Sequence, residues 1–155
     1  MSTVACVIDL IDETGRATPD LARIQRVVDA AVTADGLGPC ALTVLIVDDA
    51  ESARLHQEHF NAPDATDVMT FPDGSDDPES GRTHLGDLAV CLDVAERAAA
   101  ERGRSASDEL TLYILHGVLH VLGYDDIDAD DQAAMWAEQR RLLADVGIAL
   151  EELPG

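Results

Sequence analysis

Tyr113-Ile114-Leu115-His116-Gly117-Val118-Leu119-His120-Val121-Leu122-Gly123-Tyr124-Asp125-Asp126-Ile127-Asp128 is the stretch around which the rest of the chain is read. His116 and His120 stand four residues apart in an apolar run, so on a helix of about 3.6 residues per turn both imidazoles leave one face. Two such nitrogens are able to hold one cation. Gly123 supplies the stop, because a helix often ends on a residue with positive φ, which glycine adopts at little cost. The chain then doubles back through Asp125, Asp126 and Asp128, offering a carboxylate to the same ion. Two neutral imidazoles and one carboxylate leave a coordination position open, which is the arrangement of a catalytic centre and not of a closed structural one. A histidine pair at this spacing also occurs as hydrogen-bonded core side chains. The glycine stop and the carboxylates just beyond it favour the metal reading, since a third ligand arriving from outside the helix needs both.

Upstream of the pair, Ser105 with Asp108 three residues later forms a capping box that starts this helix. Leu110, Leu112, Ile114, Leu115, Val118 and Leu119 make it apolar nearly all round, so it is expected to be buried. Downstream, a last helix runs from about Asp130 to Val146, capped by Asp128 or Asp130, and residues 151–155 read as a fraying tail. Towards the N-terminus the pattern alternates. Thr3 to Leu10 reads as a strand, and Asp20 to Ala34, capped by Thr18-Pro19, has the three-and-four spacing of an amphipathic helix. Ala41 to Val47 reads as a strand buried on both faces, and Asp48 to Asn61 as a short helix. Val68 to Phe71 is a short strand stopped by Pro72, and residues 73–82 read as a mobile loop. Leu85 to Leu92 is a strand, and Asp93 to Arg102 a helix ended by Gly103.

The 155 residues are read as one domain, 1–155. Thirty-one acidic residues against ten basic ones give a formal charge of -21, and every basic residue is arginine. Such a surface argues against broad affinity for nucleic acid or anionic membrane, so any RNA contact must be local. Most of the acidity reads as a solubilising surface, possible in a salty cytoplasm. Cys6, Cys40 and Cys91 are scattered and odd in number, implying neither a disulfide framework nor a thiolate metal site. With no targeting pattern and no membrane-length apolar run, a soluble cytoplasmic protein without membrane contact is expected.

His116-Gly117-Val118-Leu119-His120-Val121-Leu122-Gly123-Tyr124-Asp125-Asp126 resembles the signature H-G-x-L-H-L-x-G-Y-D-H of the YbeY family of ribosomal RNA maturation endoribonucleases. Ala65-Thr66-Asp67-Val68-Met69-Thr70-Phe71-Pro72 looks like that family's P-T-D-V-L-S-F-P, and Leu85-Gly86-Asp87-Leu88 like its L-G-D segment. The resemblance implies a single α+β domain, a small mixed β-sheet packed by about five helices with a zincin-like metal helix. It implies one Zn2+ per chain on His116, His120 and Asp126, and single-strand-type hydrolysis of RNA phosphodiesters in maturation and quality control of small-subunit ribosomal RNA. The implied partners are ribosomal RNA and the ribosome or its small-subunit proteins. Thr66, Thr70 and Asp87 are candidates for the substrate cleft, and no catalytic side chain is assigned beyond the metal site.

The chain departs from the family at two points. Asp126 stands where the third histidine is usual; a carboxylate is a sound zinc ligand, but it lowers the charge of the site, so a different divalent metal or a less acidic bound water is expected. Asp125 and Asp128 remain alternative ligands. Leu55-His56-Gln57-Glu58-His59-Phe60 places Phe60 where the family carries a cleft arginine, removing a bidentate phosphate partner. Arg54, Arg82 and Arg104 are candidates to replace it. His56 and His59 are expected to face solvent, and His84 is weakly placed at the cleft. Gly117 occupies the position that carries the general base in H-E-x-x-H metallopeptidases. It either keeps bulk and charge from the cation or lets a neighbouring element approach. The alternatives to an endoribonuclease are a ribosome-assembly binding factor with little or no catalysis and a metal-dependent hydrolase or oxygenase of small molecules.

Overall fold

A computed structural model describes residues 4–125 and 127–150. Its four-stranded mixed sheet consists of β1 (Cys6–Asp12), β2 (Cys40–Val47), β3 (Val68–Asp77) and β4 (Arg82–Cys91), in the order β1-β2-β4-β3. β1, β2 and β4 run parallel, and β3 is antiparallel to β4 at the sheet edge. Five helices among the described residues complete the α+β fold: α1 (Leu21–Ala34), α2 (Asp49–Phe60), α3 (Leu92–Arg102), α4 (Ala106–Val121) and α5 (Ala129–Ala144).

α4 is the core of the molecule. Residues 109–115 and 117–119 are all buried, between the sheet on one side and α1, α3 and α5 around the rest. Ser105 caps it by accepting from the Asp108 N–H, the forward half of the expected capping box, while the Asp108 carboxylate pairs with Arg23. Gly117 lies against β4: a Cβ there would come within 2.8 Å of Leu88 Cδ2 and 3.3 Å of Val68 Cγ2. The close approach of helix and strand accounts for this glycine.

β2 corrects the expectation of a strand buried on both faces. Leu42, Val44 and Ile46 are buried, whereas Ala41, Thr43 and Leu45 are half-exposed, because little packs over the outer face there. α2 covers the β3–β4 end of that face: Ser52 is fully buried and donates to the Thr66 carbonyl, and the Phe71 ring meets His59 and Phe60.

The cap of α1 is Asp20, which accepts from the Arg23 N–H, instead of Thr18-Pro19. The segment expected as a loop over 73–82 is largely strand. After an irregularity between Pro72 and Ser75, the pairing resumes with Ser75, Asp76 and Asp77 opposite His84, Thr83 and Arg82. This ribbon is held by polar contacts, Thr83 Oγ1 donating to Asp76 at 2.7 Å and His84 Nδ1 to Asp73 at 2.9 Å. An exposed two-stranded ribbon has no apolar face, so hydrophobic alternation does not announce it. At Gly86, opposite the same irregularity, φ is +148° and a Cβ would run into the Phe71 carbonyl oxygen. The three cysteines are buried. Among the described residues no helix is long and apolar enough to cross a membrane.

Candidate metal centre

His116 and His120 leave the exposed side of α4 one turn apart, with Nε2 atoms 3.0 Å apart and rings at 80°. The other nitrogen of His116, Nδ1, lies 2.7 Å from Gln139 Oε1 on α5. Gln139 is itself buried. An amide oxygen only accepts, so Nδ1 carries the proton and Nε2 presents a lone pair. That is the tautomer a metal requires, fixed by a hydrogen bond of the kind that orients ligating histidines. Zinc–nitrogen bonds of about 2.0–2.1 Å bring two nitrogens of one ion to roughly 3 Å. The residues therefore fit a divalent cation held by two imidazoles.

The turn beyond Gly123 is crowded with carboxylates. Asp128 caps α5, accepting from the Asp131 N–H at 2.8 Å. Asp125 accepts from the Ile127 N–H and faces a different cavity, with Gly123, Tyr124 and Asp131. The carboxyl of Asp131 is pushed up to about 6, first by its hydrogen bond with Asp125, then by burial and by the charges of Asp125 and Asp128. Asp126, the third ligand implied by the resemblance, lies outside the described residues.

The histidine pair lines a cavity of about 260 Å³ with His56, Phe60, Thr66, Asp67 and Val68 to Thr70. Of the cleft candidates, Thr66 and Thr70 are in its wall. Asp87 is not: Leu88 is the β4 residue against Gly117, and the pleat turns Asp87 to the opposite face, beside Thr43 and His84. His84 stands there too, away from the cavity.

His56 was expected to face solvent but lines this cavity. Its Nδ1 lies 2.7 Å from the Asp64 carbonyl oxygen, which only accepts, so Nδ1 is protonated and Nε2 is the basic nitrogen. The signal available for this was its i, i+4 spacing with Phe60 on one face of α2. His59 is exposed, as expected.

None of Arg54, Arg82 or Arg104 reaches the cavity wall. Arg54 pairs with Glu51 and Glu58, Arg82 donates to the carbonyls of Val4, Ala5 and Cys40, and Arg104 lies against buried Glu109. Arg102 stands in the wall of a second cavity of about 430 Å³ that shares Thr66, Asp67 and His116 with the first.

Elsewhere, Asp49, Cys91 and Asp93 bring donor atoms within 4.8 Å of one another. The Arg97 guanidinium already grips Asp49 through both oxygens at 2.7 and 2.9 Å and holds its carboxyl below the usual range. Arg16 holds Asp93, and burial pushes the Cys91 thiol up. The donors are thus committed or protonated, and the His116–His120 pair is the better seat for a cation.

A four-stranded mixed sheet packed by a buried helix that carries two histidines beside a cavity defines a small α+β class. Within it the chain belongs to the family described as Endoribonuclease YbeY, whose sequence profile matches residues 13–147. A curated relative from Alkalilimnicola ehrlichii, named Endoribonuclease YbeY, is 42% identical over 136 residues, covering 84% of this chain and 80% of its own length. Another of that name, from Thermobifida fusca, is 39% identical over 152 residues, covering 94% of this chain and 97% of its own. A solution structure of a Thermotoga maritima protein superposes with a TM-score of 0.64 at 26% identity, over 90% of this chain and 89% of the other.

Proposed function

We propose that the chain is a metal-dependent endoribonuclease acting on single-stranded segments of small-subunit ribosomal RNA during its maturation, in company with the ribosome or its small-subunit proteins. The observation that carries this reading is the pair of Nε2 atoms 3.0 Å apart, one of them fixed as a lone-pair donor by Gln139, in the wall of a cavity. The names of the relatives supply the substrate class. His116 and His120 would hold the cation, with Asp126 as the third ligand that the family resemblance implies and Asp125 and Asp128 as its alternatives. Zinc, or another divalent ion, would supply there a Lewis acid that activates water and offsets charge on a phosphodiester.

The chain's own groups do the rest. Thr66 and Thr70 stand in the wall with hydroxyls able to donate to phosphate oxygens. His56, with Nδ1–H held by the Asp64 carbonyl, keeps Nε2 available to take a proton from a nucleophile or return one to a leaving oxygen. Phe60 and Met69 form an apolar part of the wall.

The test is cleavage of single-stranded ribosomal RNA by untagged protein purified without chelator, with its metal content measured alongside. About one divalent ion per chain, with turnover abolished in His116→Ala, is expected. Turnover that persists in that variant overturns the reading. One observation favours a binding factor of weak activity: each of the ten arginines already has an internal partner. RNA binding with no turnover in the metal-loaded protein would establish that second reading.

A further inference from the structure

The sheet ends on β1, and part of that edge is open. Among the described residues β1 pairs with β2 alone. In a parallel ladder a strand directs the N–H and C=O of every second residue to one side. The Ala5 carbonyl accepts from the Cys40 N–H and the Glu13 N–H donates to the Ile46 carbonyl, so the odd-numbered residues here bond to β2. Cys6, Ile8 and Leu10 therefore turn their backbone groups outwards. At Cys6 these groups are closed by α1: Asp29 accepts from the N–H at 3.0 Å and Gln25 donates to the carbonyl at 2.7 Å. Next to Gln25 lies a groove of about 440 Å³, lined by Ile8, Leu10, Pro19, Leu21 and Ile24. The N–H and C=O groups of Ile8 and Leu10 stand along it.

The surface around this groove is apolar where a free edge is usually blunted. Six large apolar side chains stand exposed among the described residues, and four of them are here: Val4, Val7 and Ile11 in and just before β1, and Leu21 at the start of α1. Val7 and Ile11 are each 44% exposed and Leu21 61%. Single exposed apolar residues are ordinary, whereas such clustering marks an interaction surface. The free charge beside it has one sign. Asp9 stands exposed between Val7 and Ile11 on the outer face of the strand, and the two arginines of α1, Arg23 and Arg26, are paired with Asp108 and Asp145.

We infer that the β1 edge receives an extended, basic segment of a partner protein as a fifth strand. In such a contact main-chain hydrogen bonds, here to Ile8 and Leu10, give affinity, and alternate side chains give specificity. The pleat fixes the pattern of the segment. Every second residue enters the groove against Leu10 and Leu21 and is apolar; those between lie on the outer face beside Asp9 and are lysine or arginine. A second copy of the chain fits less well. A two-fold antiparallel pairing through Ile8 and Leu10 is centred on Asp9, so it sets that carboxylate opposite its own counterpart, between two chains each of charge -21. The inference rests neither on a bound cation nor on RNA cleavage.

The probe is a dye-labelled, end-blocked heptapeptide alternating lysine and valine, with a heptapeptide alternating glutamate and valine as its counterpart. Anisotropy is read with the full chain at about 0.15 M salt, where attraction between exposed charges is screened beyond about 8 Å. Saturable binding of the lysine peptide alone is expected. At saturation, amide exchange with water, followed by NMR, should slow about tenfold or more at Ile8 and Leu10 and stay unchanged at Val7 and Ile11, whose N–H groups already pair with β2. Asp9→Lys should weaken binding about tenfold and Leu21→Ala several-fold. Both side chains are exposed, so folding is spared, and circular dichroism and Tm confirm it. Binding that leaves the Ile8 and Leu10 amides exchanging freely is attraction to the acidic surface alone and overturns the added strand, as does failure to bind. Undiminished binding in Asp9→Lys overturns the choice of a basic partner. Protection of the same amides without peptide, rising with protein concentration alongside a dimer in sedimentation, assigns the edge to a second copy and overturns the proposal.

Discussion

Gly117→Ala is the sharpest test of why a glycine stands inside α4 beside the histidine pair. Two terms oppose each other. Alanine is favoured over glycine in a helix interior by about 1 kcal/mol. Against this, the new methyl would sit 2.8 and 3.0 Å from the two Cδ atoms of Leu88 and 3.3 Å from Val68 Cγ2, and overpacking of a filled core costs about 1–3 kcal/mol. Leu88 is fully buried, so it cannot swing into solvent. The net expectation is a loss of about 1 kcal/mol. Leu88→Ala alone should cost about 2–5 kcal/mol through the space it leaves. In that background the methyl enters vacated volume, the two contacts under about 3 Å are gone, the 3.3 Å approach to Val68 Cγ2 can relax into the same space, and the helix preference dominates. Gly117→Ala should then stabilise by about 1 kcal/mol, reversing its sign. Urea unfolding of the four proteins, at constant m, reads the coupling, and an equal shift in both backgrounds, within about 0.5 kcal/mol, refutes the packing account. Zinc content of the same proteins separates the alternative. If the glycine serves to keep bulk from the cation, Gly117→Ala depletes zinc in both backgrounds whatever happens to stability.

Gly86→Ala meets a backbone atom, the Phe71 carbonyl oxygen, at φ +148°; strain and overpacking together predict a loss of about 2–5 kcal/mol, read by urea unfolding, and a loss under about 1 kcal/mol would show that the hairpin gives way easily. Gln139→Leu removes the acceptor that fixes the His116 tautomer and should lower zinc affinity about ten- to a hundredfold with little change in Tm; competition with a chromophoric chelator measures it, and undiminished affinity sinks the orienting role. Asp49 is held below the ordinary carboxylate range, first by Arg97 and against the opposing effect of burial. A depressed folded-state value means that its contribution is present above the unfolded value of about 3.9 and is lost as pH falls through the folded one. The Tm gap between wild type and Asp49→Asn should therefore be constant at neutral pH and close below about pH 4; a gap that persists to strong acid contradicts the pairing.

The buried helix α4 was legible because several signals agreed there: an apolar run, a cap at Ser105, a glycine stop and four-residue histidine spacing. The strand–helix alternation before it was legible for the same reason. What escaped reading lay where local pattern is silent. Polar strand residues 75–77 and 82–84 carry no hydrophobic period, and their pairing is decided by the register across the turn. Thr18-Pro19 and Asp20 are both plausible caps, and only the backbone chooses. His56 and Arg102 reach their cavities through the packing of α2 and α3 against other elements, which no spacing within either helix dictates. Asp87 was misjudged as a cleft residue because a motif gives the residue and the pleat gives its direction.

Gln139 and His116 are 23 residues apart and belong to different helices. The nitrogen offered to a cation is therefore set by the docking of the last described helix, and the centre exists only once α5 has closed on α4. A cation held by this pair would latch the C-terminal third of the fold, and whatever loosens α5, be it heat, denaturant or a partner competing for its inner face, would loosen its grip on that cation.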